Sequence, residues 1–182
     1  MANREALREL QARLASRLQA AQTGGMSVAW LAVIAAGRRY LLPLGQAGEI
    51  VPLSGIQTVP YAKNWFRGVV NVRGGLWGVV ALADFLAAQG DTAASTGNPT
   101  AAVMSAEASV VTLNALLEVN CAVQVDVLAG LRGSEAFTKS EAPPAQAPAY
   151  FGNRLFDSEG LEWQEINLRA LAQSPQFLSI SA

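Results

Sequence analysis

Leu7, Leu10, Leu14 and Leu18 recur at spacings of three and four, which predicts an amphipathic helix over residues 3–21 with Asn3 as its cap. Arginine and glutamate fill the other faces, so the apolar seam is narrow. It would pack either on its own domain or on a partner. Gly24-Gly25 breaks this pattern, and from Val28 the period changes to that of strands. "VAWLAVIA", "RRYLLPL" and "GEIVPLS" read as short strands divided by glycines. "FRGVVNV" and "LWGVVAL" follow as a hairpin, in which Gly74 and Gly75 supply the positive φ angles of the turn. "ALADFLAAQ" predicts a short helix, and "GDTAASTGNPT" a polar linker. A second β set is expected in "TAAVMSA", "SVVTLNALL" and "NCAVQVDVLAGL". Residues 133–149, rich in proline and alanine, predict an exposed loop. "GNRLFD" and "LEWQEINL" predict a closing hairpin around Ser158-Glu159-Gly160, and "LRALAQS" a last short helix.

The two sets repeat each other. Phe66-Arg67-Gly68 parallels Tyr150-Phe151-Gly152 at an offset of 84. Beyond the turn the offset is 86, matching Trp77 with Trp163, Val80 with Ile166, Leu82 with Leu168 and Phe85 with Leu171. The repeat predicts a mainly β chain built as two similar small barrels. Each is too small to bury much alone, so the two are expected to share a hydrophobic core.

Composition supports a large core and a nearly neutral surface. Of the 182 residues 51% are hydrophobic and 15% charged, with a net charge of −1. A nucleic-acid partner is not expected, because such domains usually carry a clear basic excess. No secretion signal is visible, and no apolar run approaches the roughly 20 residues of a spanning helix, so direct membrane insertion is not expected and the chain reads as cytoplasmic. The single cysteine, Cys121, excludes an intrachain disulfide and reads as a buried small side chain.

Candidate chemistry is sparse. With no histidine, the Ser-His-Asp triads, Cys-His dyads and usual zinc ligands are absent together. No Ser-x-x-Lys motif or phosphate-binding glycine loop occurs. Asp84, Asp91, Asp126 and Asp157 are scattered. No catalytic, cofactor-binding or metal-binding residue is expected. Trp30, Trp65, Trp77 and Trp163 read as core aromatics, with a single-stranded nucleic-acid platform or a general scaffold as the alternatives.

Asn71 and Arg73 stand out, polar residues in an otherwise apolar hairpin. Alternation puts them with Gly75 on one face and Val70, Val72 and Gly74 on the other. Arg73 either clamps internal carbonyls or Asp84, or faces a partner, where its planar fork and long stem suit an interface.

"GVVNVRGGLWGVVAL" resembles the signature of the CheW family of bacterial chemosensory adaptors, approximately G-V-x-N-L-R-G, about three residues, then P-V-x-D-L. Gly68, Val69, Asn71, Arg73 and Gly74 match. Glu49 and Ile50 in "AGEIVPL" match an upstream segment, and Val125, Asp126 and Leu128 a later one. Gly78 and Ala81 replace the family's proline and aspartate. The Trp-Gly variant with Trp163 and Glu165 is similar to the PilI branch, which serves type IV pili and twitching motility. The resemblance implies two SH3-like five-stranded β-barrels sharing a core. The expected layout is an N-terminal helix over 1–25 and one CheW-like domain over 26–175. Its subdomains would span about 26–88 and about 100–175, joined by a linker at 89–99. It further implies a non-enzymatic adaptor at receptor arrays on the inner membrane. The partners would be the regulatory domain of a CheA-type histidine kinase and the cytoplasmic tip of a methyl-accepting chemoreceptor. Glu49, Ile50, Gly68, Asn71, Arg73 and Gly74 would form the partner-binding set.

Overall fold

A computed structural model describes residues 30–90 and 108–182. The helix expected at 3–21, the "TAAVMSA" strand and most of the linker lie outside those residues. Among the described residues, eleven strands form two sheets. The first has the order β8-β1-β2-β11-β10-β9, with β1 at Trp30–Ala35, β2 at Arg38–Pro43, β8 at Val127–Arg132, β9 at Phe137–Glu141, β10 at Phe151–Asp157 and β11 at Glu162–Ile166. The second has the order β3-β6-β7-β5-β4, with β3 at Ala47–Pro52, β4 at Phe66–Val72, β5 at Gly75–Ala81, β6 at Ser109–Leu113 and β7 at Cys121–Val125. Short helices α1 (Leu82–Ala88), α2 (Leu168–Gln173) and α3 (Pro175–Leu178) follow the two hairpins, as the sequence predicts for the first two.

The internal repeat is visible as geometry. In the second sheet a hairpin, β6-β7, lies parallel to β5 of the β4-β5 hairpin. In the first, β1-β2 lies parallel to β11 of the β10-β11 hairpin. The sheets nevertheless cut across the division expected at about 26–88 and about 100–175, because each half sends its first hairpin to one sheet and its last to the other. The crossing in the second half falls at Asp126, so "NCAVQVDVLAGL" is two strands in different sheets, not one. Asp126 secures this corner. Its amide donates to the Ile34 carbonyl, and its Oδ2 accepts from the Ala36 amide at 2.7 Å.

The crossing arrangement explains the near-continuous apolar runs. In β1, Leu31, Val33 and Ala35 enter the shared core, while Trp30 and Ala32 enter a smaller cluster with Leu41, Leu155 and Trp163. In β7, Cys121, Val123 and Val125 enter the shared core, while Ala122 joins Val70, Val72, Val79 and Val110. Both faces of the central strands are therefore buried, as the sequence's valine density demands. Phe85 of α1 sits at the centre of the shared core, with Trp65 and Phe177 edge-on at ring-centroid distances of 5.1 and 5.4 Å.

Two expectations change. Residues 133–149 are not all loop, since they contain β9, which gives the first sheet six strands instead of five. Its sequence, "FTKSE", is too polar to announce a strand. It is an edge strand, where charge is tolerated, and it is anchored by Phe137 packing edge-on to Trp30 at 5.6 Å. The segment "SVVTLNALL" stops being a strand at Leu113, because the Asn114 side chain accepts from the Leu116 amide and starts a 3-10 turn.

Candidate protein-interaction site

The β4-β5 hairpin pairs Val72 with Gly75, which leaves Arg73-Gly74 as a two-residue turn. Their φ angles are +51° and +85°. Two positive angles are what the strand twist asks of so short a turn. The sequence reading assigned them to Gly74 and Gly75. The structure moves the turn back one residue, because Val70 and Val72 must point into the small core and thereby set the register. Asn71 then reaches over the turn, its Oδ1 accepting from the Gly74 amide at 2.8 Å. The amide side chain thus holds the turn in which Arg73 sits. A non-glycine residue in the left-handed region costs roughly 1–2 kcal/mol.

The Arg73 side chain is 81% exposed, and its Nε lies 2.9 Å from Glu49 Oε2. An open ion pair of this kind contributes at most about 1 kcal/mol. Its significance is positional. Arg73 projects from the hairpin at one edge of the second sheet, and Glu49 from β3 at the other edge. The chain beyond β3 also reaches β4 through the main chain, since Gln57 exchanges two backbone hydrogen bonds of 2.8 Å with Val69. Gly68 makes this closure possible. Its φ is +132°, and a Cβ there would run into the Gln57 carbonyl. The internal clamp between Arg73 and Asp84 does not form, because Asp84 pairs with Arg67 at 2.6 Å.

Glu49 owes its outward aim to a bulge in β3, where the register with β6 shifts between Ala47 and Ile50. Thr112 Oγ1 accepts from the Glu49 amide at 2.7 Å and donates to its carbonyl at 3.3 Å. The same hydroxyl occupies the space a Cβ at Gly48 would need. Gly48 and Thr112 are positioning residues that the sequence reading passed over. A buried threonine inside "SVVTLN" is the signal that would have marked them. Ile50, next along β3, is exposed and lines a shallow groove of about 310 Å³ with Leu53 and with Leu128 of β8.

Of the six expected site residues, Glu49 and Arg73 meet at the surface, while Asn71 and Gly74 shape the turn that presents the arginine. Ile50 faces the groove beside them. Gly68 is buried and acts from beneath, through the sheet closure. At the two departures from the family pattern, the Gly78 amide donates to the Asn120 carbonyl at 2.9 Å, a bond a proline could not make, and Ala81 is a helix cap without a capping side chain.

Elsewhere the described residues offer little chemistry. Among the described residues no group of three or more histidine, cysteine, aspartate or glutamate side chains could hold a metal ion. Burial pushes the Cys121 thiol up to about 12, so it stays protonated and unreactive. Trp30, Trp65 and Trp163 are buried and Trp77 is half-buried against the small valine core, so none presents an open stacking platform. No helix among the described residues is long and apolar enough to cross a membrane.

A family model described as a CheW-like domain matches residues 29–142. The protein PilI of Pseudomonas aeruginosa is 30% identical over 171 residues, which cover 93% of this chain and 89% of that one. Among solved structures, the scaffolding protein TtCheW of Thermoanaerobacter tengcongensis superposes with a TM-score of 0.60 at 16% identity, covering 78% of this chain and 89% of that one.

Proposed function

This chain belongs to the CheW-like family, and on that premise we propose that it is a non-enzymatic adaptor between the cytoplasmic tip of a methyl-accepting chemoreceptor and the regulatory domain of a CheA-type histidine kinase. Its identity with PilI favours a system that controls type IV pili and twitching motility, with the adaptor held in receptor arrays at the inner membrane.

The observation that carries this reading is Arg73. An arginine occupies a left-handed turn position that glycine or asparagine would fill at less cost, and four-fifths of its side chain is open to solvent. Its pairing with Glu49 returns little stability. The position therefore reads as an arginine presented for an outside acceptor. In this reading the Glu49–Arg73 edge meets the kinase regulatory domain, and the groove at Ile50 and Leu128 receives a helical receptor tip. Signal transmission is then geometric, through contacts that differ between the two states of the array.

Arg73→Glu tests the assignment. It sets like charges at the hairpin edge while leaving the buried valines untouched. Affinity for the kinase regulatory domain should fall at least ~10-fold, the behaviour of an interface hot spot, with the unfolding midpoint nearly unchanged. Unchanged affinity for both partners would remove the reading. A variant that unfolds would return Arg73 to an internal structural role.

A further inference from the structure

Among the described residues, the shared core is uncovered at one end. β3 and β8 are edge strands, and they occupy matching places in the two sheets. In β8 the register with β1 shifts so that Leu128 stands opposite Val33 and Leu131 opposite Leu31. Val33 and Leu31 point into the shared core, so both leucines lie on that same face but beyond its cover. Ile50 stands opposite Val111, another shared-core residue, and is likewise left outside. Leu131 is 66% exposed and Ile50 46%. Together they make an apolar strip that prolongs the core into solvent. A second groove, between the end of α1 and the α2-α3 corner, is lined by four glutamines with Pro148, Ala149, Tyr150, Ala170 and Pro175, and by no leucine, isoleucine or valine.

We propose that the leucine seam of residues 3–21 docks on this strip, bridging β3 and β8 of its own chain. Three features select that occupant. The seam, Leu7, Leu10, Leu14 and Leu18, has the spacing of one apolar helical stripe. The chain enters β1 at Trp30, opposite Arg132 and one residue from the Leu31–Leu131 pair, so the tether leaves at the end of β8. Eight tether residues, 22–29, span up to roughly 26 Å, and a 19-residue helix is about 28 Å long, enough to lie along a six-residue strand of about 20 Å. The docking stands independently of the receptor reading. On that reading it has a regulatory consequence, since the seam occupies the groove that a receptor tip needs.

The test uses the full chain with Leu128→Cys as a thiol reporter, Cys121 remaining silent in the core. Leu10→Ser with Leu14→Ser removes the middle of the seam, and Ser16→Ala, opposite the seam on the helix, serves as a polar-face control. Alkylation of the reporter should be at least ~10-fold faster in the double seam variant than with the native seam, from the loss of two buried leucines, and should not depend on protein concentration. Amide exchange across 127–132 should accelerate in parallel in the chain that retains Leu128. Equal rates overturn the docking, as does a control that accelerates as much as the seam variant. Protection that grows with protein concentration assigns the strip to a second copy and also overturns it. A receptor-tip hairpin should bind the double variant at least several-fold tighter, and unchanged affinity overturns the competition. A tip that binds neither chain, with reporter protection intact, sinks the receptor reading and leaves the docking standing.

Discussion

Asn71 and Asp157 solve the same local problem in the same way. Each stands at a hairpin turn, and in each hairpin a short polar side chain receives the turn amides. Asn71 does so for Gly74, whereas Asp157 accepts from the amides of Glu159 and Leu161 at 3.0 and 2.9 Å and from the indole of Trp163 at 3.0 Å. The Trp163 indole, then the two amides, hold the Asp157 carboxyl below its ordinary range, against the opposing effect of desolvation, and the nearby Arg132 charge adds to the lowering. A lowered folded-state pKa means stability that is fully present above the unfolded value of about 3.9 and is lost as pH falls through the folded value. Asp157→Asn should therefore narrow its stability gap from the native chain as pH drops below about 4, read from denaturant midpoints across a pH series. A constant gap would show that charge is not what Asp157 contributes. At this scale the sequence marked Asn71 and Arg73 as unusual, but it could not separate a side chain that holds a turn from one the turn presents, because that depends on the register.

Elements tell a similar story at the caps. Ala81 and Asn167 precede equivalent helices, α1 and α2, with nearly identical backbones of φ −70°, ψ 107° and φ −74°, ψ 101°. Asn167 accepts from the Ala170 amide at 3.0 Å, whereas Ala81 offers nothing. Ala81→Asn should stabilise the protein by about 1 kcal/mol, raising the thermal midpoint by roughly 2–4 °C. No gain in a thermal melt would mean that the buried setting of Ala81 cannot accommodate the amide. Hairpins and helices were legible because their apolar periods are strong and the repeat doubles the signal. β9 was not, since an edge strand of "FTKSE" has no period of its own and forms only because β10 offers it a partner.

For the whole molecule the decisive feature is the exchange of hairpins between sheets. It makes the shared core the largest apolar cluster and couples the two sheets thermodynamically. Phe85→Ala should cost about 3–5 kcal/mol, and tryptophan fluorescence and far-ultraviolet circular dichroism should lose structure in one coincident transition. Two separated transitions would show that the sheets fold as independent units. The sequence by itself determined the β period, the repeat, the absence of histidine chemistry and the polar pair at the hairpin, since each follows from residue type and local spacing. Only the tertiary structure decided which sheet each strand joins, that Arg73 meets Glu49 instead of Asp84, and that Ile50, Leu128 and Leu131 prolong the core into solvent. Those outcomes depend on pairings between residues far apart in the chain, which alternation leaves equally satisfied by several partners until the shared core selects one.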